Sequence, residues 1–329
     1  MKQLYFLFFA FSMGFAQVPK VWWVDVTNGN DNNNGQSEAT AFKSIKTVFV
    51  NNYLSAYNDT IYVKEGTYDF KDAEVQSRIG FVIVGVSGAE KTIFDADSTN
   101  RHFNLYVYSN DSGKGYKQKF EGISFINGYE PGSGGSITIG RYPDASFDAC
   151  IFENNQAGYG SGAMSSQGKL EINGTTFKNN KALTTAENGS STGGALYVSN
   201  NSNLTSSVVI KNSKFIGNSA QANRQARGGA IYIDVSVDII NTTFIDNYTV
   251  SGLNNSSNSY NSYYMDSEGG ALYVEAVNYQ NYEYVYETVR LINSTFDGNY
   301  VDSDFITLPD AISGASIFVM EGKVYMFNS

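Results

Sequence analysis

Cysteine and histidine are nearly missing: among 329 residues Cys150 is the one cysteine and His102 the one histidine. A single copy of each excludes a disulfide framework, a Cys/His zinc cluster and a histidine-centred catalytic triad built within one chain. Positive charge is also short, with 22 Lys and Arg against 32 Asp and Glu for a net charge of −10. No basic run could neutralise a row of phosphates, so nucleic acid is not an expected partner. Proline occurs only 4 times. Beyond the first sixteen residues no apolar run approaches the ~20 residues of a membrane-spanning helix, so no transmembrane segment is expected there.

What is abundant points to strands and tight corners. Aromatic residues reach 15%, and 32 glycines stand beside 35 asparagines, a composition suited to hydrogen-bonded strands turned by Asn and Gly. Residues 1–16 read as a secretory signal peptide: Lys2, an apolar run from Leu4 to Phe15, and Gly14, Phe15, Ala16 before a cleavage point at Gln17. A membrane anchor is the alternative, and the run is short for one. The mature protein is therefore expected to be exported, at the cell surface or secreted, and no cysteine follows the signal to take a lipid.

Residues 17–100 read as an N-terminal cap with the first coils. Trp22, Trp23, Val24 and Val26 form a strand-like run that ends in the turn-rich stretch 28–35. Phe42, Ile45, Val48, Phe49 and Leu54 then give one apolar face to an amphipathic helix over 41–53, suited to closing the open end of a solenoid. Short strand-like runs follow, at 60–63, 81–84 and 92–94.

Residues 101–329 repeat. Anchored on Phe125, Phe152, Phe177, Phe215, Phe244 and Phe296, five copies carry an asparagine three residues later: Asn155, Asn180, Asn218, Asn247 and Asn299. Two residues before the anchor the side chain is small in five copies, Cys150, Thr175, Ser213, Thr242 and Ser294. Five before it Phe120, Phe147, Ile172, Ile210, Ile239 and Leu291 are apolar. A second signature is Gly193, Gly194, Ala195, Leu196, repeated at Gly228 to Ile231 and at Gly269 to Leu272, with weaker copies at Gly134 to Ile137 and Ser161 to Met164. Anchor spacings of 27, 25, 38, 29 and 52 imply a coil of about 25 residues with insertions at corners. A unit that short cannot bury its own apolar face, so copies must stack into parallel sheets. The expected fold is all-β, a right-handed single-stranded parallel β-helix, with the five asparagines as a structural ladder and their left-handed tolerance serving the corner. A β-propeller is the alternative, but its blades run ~40 to 50 residues.

The Gly-Gly-Ala-Leu/Ile and Phe-x-x-Asn pair, best developed over 193–299, resembles the repeats of the polymorphic outer membrane proteins, a family of exported adhesin-like surface proteins with β-helical passenger regions. The opening, with Trp23-Val24-Asp25, Asn30-Asp31, Asn34-Gly35, Ala41 to Ile45, Asp59 to Val63 and Gly66-Thr67-Tyr68, is similar to that of pectate-lyase-like β-helix proteins. The first resemblance implies a membrane barrel or sorting domain downstream. Residues 324–329 match 289–294 and stop two short of the next anchor, so the chain is expected to be a piece of a longer protein, a matter settled by the coding DNA after Ser329.

Candidate sites are few. Asp25 with Asp31, and Asp95 with Asp97, offer oxygens to calcium but lack the twelve-residue spacing of a helix-loop-helix site, and plain turns are the simpler reading. No cofactor is therefore expected, with calcium as the alternative. A catalytic site on this scaffold needs several charged residues on one outer face. The outward column Ser146, Glu171, Val209, Asp238, Arg290 brings Asp238 and Arg290 to adjacent coils, where a surface ion pair is the simpler reading. Asp246 and Asp297 lie just after their anchors. A binding face is the stronger candidate: Tyr282, Tyr284 and Tyr286 alternate, and Tyr260, Tyr263, Tyr264 and Tyr279 share the same insertion, placed to stack on a polysaccharide or anchor a host or cell-surface protein. Packing of these rings against the solenoid is the competing explanation. The expected function is thus a non-catalytic adhesin-like or glycan-contacting surface protein, the alternative a polysaccharide lyase or other carbohydrate-active enzyme, and a structural spacer third.

Overall fold

A computed structural model describes residues 18–50, 53–54, 58–107, 116–199, 208–253, 266–275, 277–280, 283–303 and 312–329. The signal-peptide segment and Tyr260, Tyr263, Tyr264 and Tyr282 lie outside these residues.

Within them the chain is a parallel β-helix. Each coil contributes one strand to a ten-stranded parallel sheet that runs from Val21–Val24 to Lys323–Phe327, and one to an eight-stranded sheet from Gly66–Asp69 to Thr295–Asp297. A second eight-stranded sheet runs from Val75–Ser77 to Ile317–Glu321, and sheets of six and four strands line the remaining wall. The repeat alignment is the hydrogen-bonding register: Phe120, Phe147, Ile172, Ile210, Ile239 and Leu291 are consecutive partners, as are all six anchor phenylalanines. Alternate side chains point inward, so these residues form the core, and from Phe125 to Phe296 the anchor rings stack at 4.7–5.0 Å. Val324 and Met326 pair with Val289 and Leu291, continuing the same columns.

Two corners flank each anchor, and both need left-handed backbone. Three residues before it stand Gly122, Ala149, Gly174, Asn212, Asn241 and Asn293, and two after it Asn127, Asn154, Asn179, Gly217, Asp246 and Gly298, all at positive φ. Gly and Asn recur there because they tolerate that region at least cost. The left-handed residue is thus the one before each ladder asparagine, not the ladder asparagine itself.

The helix is shorter than the pattern predicts, covering Ile45–Val50 rather than 41–53. Phe42 is held in extended backbone by a parallel bridge to Val24, and Asp31 Oδ1 accepts the amides of Lys43 and Ser44, so helical geometry begins only afterwards. Ile45 and Val48 are buried, and Phe49 packs edge-on against Phe81 and Phe103.

Candidate functional site

The Gly-Gly-Ala-Leu/Ile signature is followed by tyrosine in all three of its full copies. Leu196, Ile231 and Leu272 enter the core, so the period-2 alternation sends Tyr197, Tyr232 and Tyr273 to the outside of the eight-stranded sheet that ends at Ile317–Glu321. They are consecutive partners in register and continue into Phe318, with ring centroids 5.1, 5.0 and 5.4 Å apart. Although on the outer face, Tyr232 is 9% and Tyr273 0% exposed. The Arg227 guanidinium lies 5.0 Å from the Tyr273 ring centre and pairs with Glu268 at 2.9 Å, while the Tyr273 hydroxyl donates to Met320 Sδ.

Beside this ladder stand three carboxylates. Asp234 follows Ile233, whose partner on the next coil is Val274, so Asp234 and Glu275 occupy adjacent coils. Glu275 accepts a hydrogen bond from the Tyr232 hydroxyl, and Glu287 accepts one from Ser236 Oγ at 2.5 Å, whose oxygen in turn accepts the Thr288 amide at 3.0 Å. Burial, with the charges of Glu275 and Glu287 beside it, pushes the Asp234 carboxyl up to about 7. Between Glu275 and Glu287 the chain leaves the solenoid as an antiparallel hairpin in which Val277–Gln280 pairs with Glu283–Tyr286. Tyr279 and Tyr284 are backbone partners, Tyr286 faces Val277, and Tyr286 is 50% exposed. Three of the sequence-predicted tyrosines thus belong to one hairpin standing on a base of carboxylates and hydroxyls. That base was not found from sequence. The tyrosine after each Gly-Gly-Ala-Leu/Ile was the available signal for its aromatic part, and the carboxylates carry no repeat signal.

The ladder asparagines are buried and joined. Each Nδ2 donates to Oδ1 of the next asparagine at 2.9 Å, from Asn155 through Asn180, Asn218 and Asn247 to Asn299, and also to the carbonyl of the preceding coil's anchor phenylalanine. Each Oδ1 from Asn180 onward also accepts the backbone amide of the asparagine before it. The side chains of Asn155, Asn180, Asn218 and Asn247 therefore each bridge three coils, and that of Asn299 joins its own coil to the one before.

The remaining candidates are already engaged. Asp25 is buried, with Oδ1 on the amides of Thr27 and Asn28, and Oδ2 on the Asn28 side chain and 3.4 Å from Lys64 Nζ. Asp95 Oδ1 accepts the Asp97 amide and the Asn127 side chain, in an open recess where the Lys71 ammonium lies 3.4 Å from Asp69. Among the described residues no group of His, Cys, Asp and Glu is arranged to hold a metal ion. Asp238 and Arg290 are partners in register and form a two-pronged pair at 2.6 and 2.5 Å, a hydrogen bond that raises the Arg290 pKa further. Asp246 takes the left-handed corner, and Asp297 is the strand partner of Ile245. His102 is enclosed, with Nδ1 3.0 Å from Ser136 Oγ and Nε2 3.0 Å from the Phe94 carbonyl, and burial drops its pKa to about 4. Cys150 fills the small-residue column, where burial pushes its thiol up to about 12. Among the described residues no helix is long and apolar enough to cross a membrane, which leaves a β-barrel elsewhere untouched.

Comparison with known proteins gives no match among curated proteins and none among solved structures. Residues 174–199 match the Chlamydia polymorphic membrane protein repeat. That stretch runs from the corner glycine Gly174, through the anchor Phe177 and ladder Asn180, to the first full Gly-Gly-Ala-Leu copy and its Tyr197. The chain is a parallel β-helix carrying repeats of the polymorphic membrane protein type.

Proposed function

We propose that this is an exported, non-catalytic surface protein whose solenoid is a rigid stalk for lateral contact with a glycan or a cell-surface protein. The observation that carries the reading is the hairpin Val277–Gln280/Glu283–Tyr286, which interrupts an otherwise parallel coil stack and brings Tyr279, Tyr284 and Tyr286 into one element. Rings of this kind supply large contact area at small entropic cost. The repeat match supports a place at the cell surface. The protein should bind cells or immobilised polysaccharide, and the double substitution Tyr284→Ala, Tyr286→Ala should weaken that binding at least ~10-fold without lowering the unfolding temperature. Unchanged binding by the double variant would leave the solenoid as a spacer. Protease treatment of intact cells that fails to remove the protein would end the surface placement.

The lyase reading rests on Arg290 as proton acceptor. A base must release its proton at working pH. Arg290, locked in a two-pronged pair with Asp238, is held protonated. Depolymerisation of an acidic polysaccharide that Arg290→Ala abolishes would restore that alternative.

A further inference from the structure

Many outward cations of this acidic chain are matched to acids: Lys64, Lys119, Lys178, Lys211, Arg227 and Arg290 each lie within 3.4 Å of a carboxylate oxygen. At one corner, where the sheet that begins at Val75–Ser77 gives way to the ten-stranded sheet, they are not. Lys117, Arg141 and Lys169 stand there on three successive coils, and among the described residues they make no ion pair. The corner's own acid is Asp144, backbone partner of both lysines, while Glu121 and Asp148 farther along the same strands are held by Lys119. Positive charge is therefore in excess at this corner, on a molecule whose net charge is −10.

The same corner holds a notch. Ser77, Leu105, Ile139 and Ser166 are consecutive backbone partners buried in the solenoid, so the residues after them, Arg78, Tyr106, Gly140 and Gln167, form an outward column. Backbone bonds keep that column stacked, the Tyr106 amide donating to the Ser77 carbonyl at 3.0 Å, the Gly140 amide to that of Leu105 at 2.8 Å and the Gln167 amide to that of Ile139 at 3.0 Å. From the preceding coil the Arg78 guanidinium lies 4.8 Å from the Tyr106 ring centre and donates to its hydroxyl at 2.5 Å. The following coil sets Gly140 beside that ring. Neither strain nor crowding requires this glycine: its φ is not left-handed, and a Cβ there would meet nothing nearer than the Leu105 carbonyl oxygen and Tyr106 Cβ, each at the ordinary contact distance of 3.4 Å. Gly168 on the next coil is the contrast, since a Cβ there would lie 2.6 Å from the Pro143 carbonyl oxygen. The fold would accept a side chain at Gly140. Its absence opens a gap one strand spacing wide, ~4.8 Å, beside a tyrosine ring and directly before Arg141 and Tyr142 in the chain.

We propose that this corner is a binding site for an anionic glycan, with a sugar ring seated over Gly140 against the Tyr106 ring and its carboxylate or sulfate among the cations Lys117, Arg141 and Lys169. A pyranose ring has an apolar face that stacks on an aromatic ring, and a gap of one strand spacing suits a flat ring. Charge complementarity selects the acidic sugar, because unmatched cations on an acidic protein attract an anion and hold off a second copy of the same chain. Lys117 and Lys169 are exposed, and Tyr106, Gly140, Arg141 and Tyr142 are half-buried, so the strip is open to a polymer lying along the solenoid. The site uses coils far from the hairpin Val277–Gln280/Glu283–Tyr286 and does not depend on it. Binding here breaks no bond and needs no catalytic group.

The experiment is biolayer interferometry of the intact protein against immobilised dextran, carboxymethyl dextran and dextran sulfate, which share a backbone and differ in charge. Binding to one or both charged polymers, and not to dextran, is expected, and the tighter of the two identifies the acid group. That binding should weaken at least ~10-fold between ~50 mM and ~500 mM salt. Gly140→Gln fills the notch and should weaken it at least ~10-fold at an unchanged unfolding temperature. The surface pair Arg141→Gln, Lys169→Gln leaves the notch in place and should weaken it by at least as much. Tyr284→Ala, Tyr286→Ala should bind the charged polymer as the unmodified protein does, so the corner and the hairpin stand or fall separately. Equal binding to all three polymers, or binding to none, overturns the proposal. So does a folded Gly140→Gln or Arg141→Gln, Lys169→Gln variant that binds undiminished, or a hairpin variant that loses the charged polymer.

Discussion

The ladder asparagines show how one side chain stabilises three coils. Replacing Asn218 by alanine strips the acceptor from the Asn180 amide and side chain, and the donor from the Phe177 carbonyl, all in a buried column. Unsatisfied buried groups cost more than the bonds gained, so Asn218→Ala should lose about 2–4 kcal/mol, read from the urea midpoint of unfolding. His102 gives the pH counterpart. Its folded pKa, about 4, lies below the ordinary 6.5, so the unfolded chain takes up the proton first. Its stabilising effect is complete above pH 6.5 and is lost as pH falls toward 4, an expected loss of about 3 kcal/mol. His102→Gln, which keeps a donor and an acceptor, should flatten that slope in urea titrations at pH 7, 5.5 and 4. The asparagine column was legible in the sequence because the hydrogen bonds repeat with the coil. The role of His102 was legible only as a residue near a strand end, since Ser136 and Phe94, its partners, follow no spacing rule.

At the scale of the element, the paired glycines divide their work. In Gly193-Gly194, Gly228-Gly229 and Gly269-Gly270 the first member has φ near +62 to +64. The second member has no such φ. A Cβ on Gly194 would lie 2.0 Å from the Gly229 carbonyl oxygen, and one on Gly229 would lie 2.0 Å from that of Gly270. The second glycine is fixed by the approach of the next coil, not by its own turn. Gly194→Ala should therefore cost more than about 4 kcal/mol or prevent folding, whereas Gly174→Ala should cost about 1–2 kcal/mol, because its corner is open and Ala149 already fills the equivalent place at φ 48. Thermal unfolding of the two variants side by side measures the difference. Of the helix over 41–53 expected from the spacing of Phe42, Ile45, Val48, Phe49 and Leu54, only Ile45–Val50 is helical, and at its start the bridge between Phe42 and Val24 is a long-range contact that competes with helical hydrogen bonding.

For the whole molecule, sequence alone determined the coil. Side-chain alternation, corner residues with left-handed tolerance and the recurrence of Phe-x-x-Asn are local properties, and stacking converts each local position into a column. That is why the anchor stack, the ladder and the Asp238–Arg290 pair could all be placed by counting. Tertiary structure decided what lies beside the columns. Insertions of different length let Tyr232 meet Glu275 across 43 residues and Ser236 meet Glu287 across 51. They also let Arg227 cover an outward-facing Tyr273 that alternation alone would leave in water. A repeat fixes distance along the solenoid axis because every coil adds one strand spacing. It says nothing of where an insertion returns, since that depends on the packing and charge of groups that share no period.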